Sequence, residues 1–205
     1  MYYESLNQET KKIWNKCAFL HNDFYLAGGT ALALQIGHRI SVDLDFFSFN
    51  PIKKTLLAKI EAELGNASVL VNTKNELTLL VSEVKISFIH YPFILKEKTV
   101  STKIVPLASV LDIASMKAYT IGRRRSFKDY VDLYHIIFKK ITSLDIIITN
   151  TKEIYREGFN DRLFCEQLVS PEDLDDEAII WLSEKQSKSN MQLFFKNKVK
   201  EFLRK

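Results

Sequence analysis

The sequence predicts an α+β fold, in which a small mixed sheet with packed helices is followed by an all-helical region. Residues 77–81 and 84–91 consist largely of strand-forming residues and are joined tightly near Ser82-Glu83. After Pro106 the apolar residues recur at helical spacing. With 205 residues, 46% of them hydrophobic, the chain can build one good core and a smaller helical lobe.

We therefore expect two domains, residues 1–106 and residues 107–205. The sequence has only 6 Gly and 4 Pro and no low-complexity tract, so nearly all of it should be folded. Its N-terminus has no signal-peptide pattern, and no uncharged apolar run approaches the roughly 18 residues of a membrane span. These features predict a cytoplasmic protein that does not associate with a membrane.

The cysteines and histidines do not suggest a metal site. Cys17 and Cys165 are far apart in sequence and lack metal-ligand spacing, which predicts buried or half-buried free thiols. The four histidines also form no ligand pattern, and His38 is expected at a helix end or on the surface.

The predicted elements of the first domain alternate between helices and strands. Helices are expected at residues 8–21, 31–36 and 52–64, and strands at residues 24–27, 41–47, 77–81 and 84–91. Thr30 is predicted to cap the second helix and Gly37 to close it.

The second domain is predicted to contain only helices. Ser109 and Asp112 form a capping box for the first, and Gly122 supplies its stop. Further helices are expected at residues 126–139, 144–156, 173–186 and 190–204.

A glycine turn between the first strand and the second helix is the first candidate for chemistry. Gly28, Gly29 and Thr30 lie where backbone N–H groups and a helix N-terminus can face an anion, and the Thr hydroxyl can add a hydrogen bond. The sequence contains neither a P-loop nor a Gly-x-Gly-x-x-Gly motif, which disfavours those phosphate-binding folds. The alternative is an ordinary tight turn.

Two carboxylates follow the glycine turn after twelve intervening residues. Asp43 and Asp45 are two apart on a predicted strand, so their side chains should share one face, about 6 to 7 Å apart. Hard divalent cations such as Mg²⁺ bind carboxylate oxygens and keep positions open for phosphate. Together with the glycine turn, this pair predicts a metal and phosphate site.

Four stretches resemble the AbiEii/AbiGii-type toxin nucleotidyltransferases of the DNA polymerase β-like superfamily. The family signature is Gly-Gly or Gly-Ser followed by Asp-x-Asp, and its later motifs carry a lysine and a Lys/Arg-Asp-x-x-Asp-Leu pattern. The resemblance covers roughly residues 20–140 in the right order, and the matching stretches are residues 26–34, 37–47, 106–118 and 125–134.

The resemblance implies that Gly29 and Thr30 hold the terminal phosphates of an NTP (ATP, GTP or CTP). It also implies that Asp43 and Asp45 bind Mg²⁺ (or Mn²⁺). Lys117 would contact the nucleotide phosphates, and Asp129 would help the helical lobe to complete the active-site cleft. We count all of these residues, with Gly28, as candidate site residues.

Each later candidate has a structural alternative. Lys117 could be a surface lysine, and Asp129 could pair with Arg125 four residues earlier. Asp132 is expected to be structural. Arg39 could contact a phosphate or hold the two aspartates in place.

The acceptor contacts are predicted from charge and from a departure from the family pattern. The run Arg123, Arg124, Arg125 and Lys128 suits a nucleic acid, although a solvated helix end has the same composition. Polymerase β-like enzymes usually carry a third carboxylate on a later strand, where this sequence has Ser87. Lys85 and Ser87 share a strand face and are candidate substrate contacts.

The leading hypothesis is an enzyme that transfers NMP from an NTP to an RNA, such as a tRNA 3′ end, and releases pyrophosphate. The resemblance also implies a toxin with a cognate antitoxin protein. One rival is a nucleotidyltransferase that acts on a small molecule such as an antibiotic. The other is a catalytically silent nucleotide-binding module that acts through a protein partner, which the serine at position 87 favours.

Overall fold

The computed structural model describes residues 1–121, 123–124, 126–171, 174 and 177–204. The chain divides into two compact units, Met1–Ser109 and Val110–Lys205. The sequence places the boundary at residue 106. The next residues stay with the first unit because Leu26 donates to the Pro106 carbonyl and Ala108 donates to the Leu26 carbonyl, both at 2.8 Å.

The first unit contains a five-stranded mixed sheet with three α-helices. The helices are α1 (Gln8–Lys16), α2 (Gly28–Ile36) and α3 (Leu56–Leu64), and the strands are β1 (Tyr25–Ala27), β2 (Leu44–Ser48), β3 (Ser68–Asn72), β4 (Glu76–Val81) and β5 (Val84–His90). The strand order is β1-β2-β5-β4-β3, with β2 and β5 parallel and the other pairs antiparallel. The predicted α+β class is confirmed.

One face of the sheet forms the core of the first unit. Leu44 and Phe46 on β2 and Ile86 and Phe88 on β5 are fully buried, and the rings of Phe46 and Phe88 stack with centroids 5.3 Å apart. Residues between them project from the opposite face, which carries Asp45. The alternation therefore fixes which side of the sheet holds the candidate site.

The element boundaries near the site differ from the predictions. Strand β2 begins at Leu44 instead of residue 41, because the Ser41 amide donates to the Ser5 carbonyl at 2.9 Å. Helix α2 begins at Gly28, so Ala27 is its N-cap and the prediction that Thr30 caps it is wrong. The first helix ends at Lys16 and continues as a 3₁₀ turn, Cys17–Leu20.

The second unit is helical, as predicted. Its helices are α4 (Val110–Thr120), α5 (Phe127–Phe138), α6 (Leu144–Tyr155), α7 (Asp161–Leu168) and α8 (Lys188–Phe202). Helix α7 was not predicted, and the described residues between 174 and 186 are not helical, so the predicted helix 173–186 is wrong there. The predicted stop, Gly122, lies outside the described residues. Within the described part of the chain, no helix has the length and apolarity of a membrane span.

Candidate active site

The glycine turn joins β1 directly to α2. Gly28 has φ +67°, which a residue with a Cβ rarely adopts, and a Cβ built there would lie 2.7 Å from Asp45 Oδ2. This position needs glycine both for its backbone conformation and for the approach of the Asp45 carboxylate. The carboxylate therefore lies against the turn, as the metal and phosphate hypothesis requires.

The first turn of α2 presents backbone N–H groups next to that carboxylate. Ala27 is the N-cap, and its methyl side chain cannot accept a hydrogen bond from them. The positive end of the helix dipole adds to these donors. A helix N-terminus of this kind favours phosphate oxygens.

Arg39 supports the turn at Gly29. A Cβ on Gly29 would lie 2.3 Å from Arg39 Nη2, so the guanidinium packs directly against the glycine. Arg39 is buried, and its Nη1 donates to the carbonyl of Ile40 at 3.1 Å. Its two predicted roles, contact with a phosphate and holding the two aspartates in place, stay predictions.

The Thr30 hydroxyl faces the protein. Thr30 is buried; its Oγ1 hydrogen bonds with the carbonyl oxygen of Asp43 and lies 2.9 Å from Ser41 Oγ. These contacts tie the segment before β2 to α2 and so fix the backbone of Asp43. The phosphate contact predicted for this hydroxyl stays a prediction.

Asp43 and Asp45 lie beside Lys85 and Ser87 of β5. Asp45 is the register partner of Ser87, and Asp43 Oδ2 lies 3.7 Å from Lys85 Nζ. The Asp43 side chain is 43% exposed, so ligands can reach it. Asp45 projects from the sheet face that carries Lys85 and Ser87. Asp43 lies just before β2 and not on the strand as predicted, and its carboxylate reaches this face through Lys85.

This donor set fits a hard divalent cation that keeps several open positions. Mg²⁺ is usually held by one or two carboxylates, with water and substrate phosphate completing its coordination. Among the residues that the structure describes, no group of three or more His, Cys, Asp or Glu side chains could enclose a metal. The residues thus fit an ion that shares its coordination with a nucleotide.

A buried ion-pair network occupies the second unit. Lys117 Nζ lies 2.8 Å from Asp129 Oδ1 and 2.6 Å from Asp132 Oδ2, and its side chain is only 5% exposed. The surface-lysine alternative is therefore wrong. Asp132 is fully buried in this ion pair, in keeping with the structural role expected for it.

Arg124 completes the network from the surface. Its Nε and Nη2 donate to the two oxygens of Asp129, each at 2.8 Å, while its side chain stays 60% exposed. Burial alone would raise the pKa of Asp129, but the charge of Lys117 and the hydrogen bonds from Arg124 hold that pKa below its ordinary value. Asp129 is thus ionised at neutral pH and orients two cations.

Two further predicted acceptor contacts, Arg123 and Lys128, have partners inside the second unit. Arg123 lies over the Tyr119 ring at 4.2 Å and donates from Nη2 to the Gly158 carbonyl at 2.7 Å. Lys128 Nζ lies 3.5 Å from Glu177 Oε2. Arg125 lies outside the described residues, as does the pairing with Asp129 suggested for it.

Sequence reasoning missed two polar residues on the site face of the sheet. Thr78 is the register partner of Ser87, and Glu76 precedes it by two residues on the same face of β4. The alternation of polar and apolar residues from Glu76 to Leu79 was a visible signal for this face. The alternation did not indicate a site because neither Glu76 nor Thr78 belongs to a recognised motif.

The sequence identifies the chain as a member of a nucleotidyltransferase family. Residues 13–205 match the family described as nucleotidyl transferase AbiEii toxin, type IV toxin-antitoxin system, and the chain belongs to that family. It is also 34% identical over 186 residues to an uncharacterized protein of Aquifex aeolicus. The aligned region covers 89% of each chain.

Solved structures share the fold at low sequence identity. MenT4, a nucleotidyltransferase toxin of Mycobacterium tuberculosis, superposes with a TM-score of 0.63 at 14% identity, over 94% of this chain and 84% of that one. JHP933 of Helicobacter pylori superposes with a TM-score of 0.60 at 16% identity, over 96% of this chain and 92% of that one. The Megavirus polyadenylate synthase gives 0.50 at 13% identity, over 67% of this chain and 33% of that one.

Proposed function

We propose that this toxin transfers NMP from an NTP to the 3′ end of an RNA, most simply a tRNA, with release of pyrophosphate. The observation that supports this most strongly is the contact of the Asp45 carboxylate with Gly28 at the start of α2. A carboxylate would ordinarily be unfavourable near a phosphate site. A divalent cation between the two resolves that conflict.

Asp43 and Asp45 would hold Mg²⁺ (or Mn²⁺). When bound, the ion would neutralise charge on the triphosphate during in-line attack. The backbone N–H groups of Gly29 and Thr30 would donate to the terminal phosphate oxygens. Arg39 keeps the turn in the conformation in which those groups converge.

The roles predicted for Lys117 and Asp129 derive from the family resemblance. Lys117 would contact the nucleotide phosphates as a cation that stabilises developing charge, and this contact would require its ammonium group to exchange one of its two buried aspartate partners for a phosphate oxygen. Asp129 would act as a positioning residue, since it orients both Lys117 and Arg124. The exposed side of Arg124 and the neighbouring basic residues support an RNA acceptor over a cationic small molecule.

We also propose a cognate antitoxin protein, because the family consists of toxins from toxin-antitoxin systems. One observation favours a second candidate function. Ser87 is buried at the register position beside Asp45, where a third carboxylate would be expected, so a silent nucleotide-binding module would explain the same site.

Transfer of label separates the two functions. The protein is incubated with Mg²⁺, total RNA and each α-labelled NTP in turn, and products are resolved by size. We expect one RNA class to become labelled by the wild type and not by Asp45→Asn. Asp23→Asn, which removes an exposed acid paired with Lys53, is the matched control and should remain active. Binding of NTP without transfer to RNA, protein or small molecules would favour the silent module.

A further inference from the structure

A line of hydrogen-bonded side chains starts beside Asp45 and ends at a carboxylate. Ser87 Oγ lies 3.3 Å from Thr78 Oγ1, and Thr78 Oγ1 lies 2.7 Å from Glu76 Oε1. Ser87 and Thr78 are buried and Glu76 is half-buried. All three residues project from the sheet face that carries Asp45.

The protons of this line can be ordered from chemistry alone. An ionised carboxylate only accepts hydrogen bonds, so the single proton of the Thr78 hydroxyl goes to Glu76. Thr78 Oγ1 then accepts from Ser87, and the lone pairs of Ser87 Oγ are left to accept from a further hydroxyl. The acceptor of nucleotidyl transfer supplies such a hydroxyl.

We propose that Ser87, Thr78 and Glu76 form a proton relay that serves in place of the absent third carboxylate. The proposal rests on the proposed transferase function. As the acceptor oxygen bonds to the α-phosphorus and the bond to pyrophosphate breaks, the acceptor proton moves to Ser87 Oγ. The Ser87 proton moves to Thr78, and the Thr78 proton moves to Glu76, which later releases it to water.

The relay explains why polar side chains occupy this part of the sheet. Burying the hydroxyls of two neighbouring strand residues is costly unless they are hydrogen bonded. Valine at either position would satisfy the strand and its packing. The serine in place of an aspartate then transmits a proton to a carboxylate on the next strand, so activity does not require a base at position 87.

The relay is tested by steady-state transfer onto total tRNA with the NTP that the wild type uses. We expect Glu76→Gln and Thr78→Val each to lower kcat by about 10² to 10⁴-fold, the range for losing general base assistance. KM for the NTP should change by less than about threefold, because neither residue binds it. Glu83→Gln, on the turn of the same hairpin, is the matched control and should keep the wild-type rate.

Rescue distinguishes the relay from a structural role. Ser87→Asp places a carboxylate where the direct base would be. The double variant Ser87→Asp/Glu76→Gln should therefore have a kcat at least about tenfold higher than that of Glu76→Gln alone. A structural defect in the Gln variant would not be corrected in this way, and thermal melting shows whether each variant is folded.

The possible results separate the two proposals. A wild type that transfers nothing overturns the transferase function and the relay with it. An active wild type whose Glu76→Gln and Thr78→Val variants keep the full kcat overturns the relay alone. If Glu76→Gln and Thr78→Val both lower kcat and Ser87→Asp does not restore it, the residues have a structural role and the relay is also overturned.

Discussion

Gly28 carries two constraints that act together on the site. Its positive φ excludes most side chains, and its missing Cβ leaves the space that Asp45 Oδ2 occupies. The sequence indicated this turn because Gly-Gly at the junction of a strand and a helix is typical of phosphate binding. It did not indicate that Gly28 also makes room for a carboxylate, since that contact depends on the pairing of Ala27 with Asp45.

Alanine at position 28 is expected to abolish transfer. A Cβ there meets Asp45 at 2.7 Å and must displace it. Gly65→Ala is the matched control, since Gly65 also has a positive φ, +94°, but no atom within 4 Å of its Cβ position. Both variants should lose about 1 to 3 kcal/mol of stability from backbone strain. Only the Gly28 variant should lose labelling of RNA, and equal activities of the two folded variants would contradict this account.

The lowered pKa of Asp129 predicts that the stability of the second unit depends on pH. Its pKa is lowered in the folded state, so it stabilises the fold above the unfolded pKa of about 3.9 and loses that contribution as pH falls through its folded pKa. We expect Asp129→Asn to lower the free energy of unfolding at pH 7 by about 3 kcal/mol, near the lower end for breaking a buried pair, because Lys117 keeps Asp132.

Urea unfolding at pH 7 and pH 3 measures this effect. The difference between Asp129→Asn and wild type should shrink at pH 3, because this pH lies below the unfolded pKa and the unfolded carboxyl takes up a proton there. Asp161→Asn is the control: its pKa is also lowered, mainly by the hydrogen bond from Lys152, but the pair is partly exposed and should contribute less than about 1 kcal/mol. A difference for Asp129→Asn that is unchanged at pH 3 would show that its charge is not the cause.

The hairpin between β4 and β5 shows how far local patterns determine an element. Both strands were predicted because their residues favour strands, and the turn Ser82-Glu83 was found where expected. Strand β3 was missed because most of its residues are exposed, so its sequence carries no alternation between core and solvent. Helix α7 was missed because only three of its eight residues, Phe164, Cys165 and Leu168, are buried.

The turn of this hairpin offers a test of element stability. Ser82 and Glu83 have φ of 47° and 68°, the positive values typical of a type I′ turn, which favours Asn-Gly. Replacing the pair by Asn-Gly should raise the free energy of unfolding by about 1 kcal/mol by relieving strain. Glu83→Ala removes the same charge but keeps a Cβ, so thermal melting should show no gain for it. An equal gain in both variants would point to charge instead of backbone strain.

At the scale of the whole chain, each compact unit contains one buried thiol. Cys17 lies in the first unit and Cys165 in the second, and they are 0% and 3% exposed. Burial raises the pKa of the Cys17 thiol to about 12 and that of Cys165 to about 11. Both thiols are protonated at neutral pH and should be unreactive until the surrounding unit opens.

The two thiols therefore report the opening of the two units separately. Cys165→Ala leaves Cys17 as a probe of the first unit, and Cys17→Ala leaves Cys165 for the second. We expect neither variant to react with a disulfide reagent at pH 8 within minutes, and each to react fully in urea. Rapid reaction of either thiol in the native protein would contradict the burial described here.

The sequence predicted the order of the two regions and offered Gly28, Asp43 and Asp45 as candidate site residues, because periodicity and short motifs are local signals. It could not predict the hydrogen-bonded pair of Thr78 and Glu76 beside Ser87, nor the pairing of Arg124 with Asp129. Those contacts depend on strand register and helix packing. The family resemblance was confirmed, whereas the acceptor and the metal stay proposals.

The proposed function depends on the binding of a divalent cation, together with a nucleotide, by Asp43 and Asp45 at the glycine turn. Electron paramagnetic resonance of Mn²⁺, titrated with the protein and each non-hydrolysable α,β-methylene NTP analogue, tests it without requiring turnover. We expect wild type and Asp23→Asn to bind Mn²⁺ in the presence of one or more analogues, and Asp43→Asn and Asp45→Asn to bind it more than about tenfold more weakly. Undiminished Mn²⁺ affinity in both of these carboxylate variants would contradict the claim.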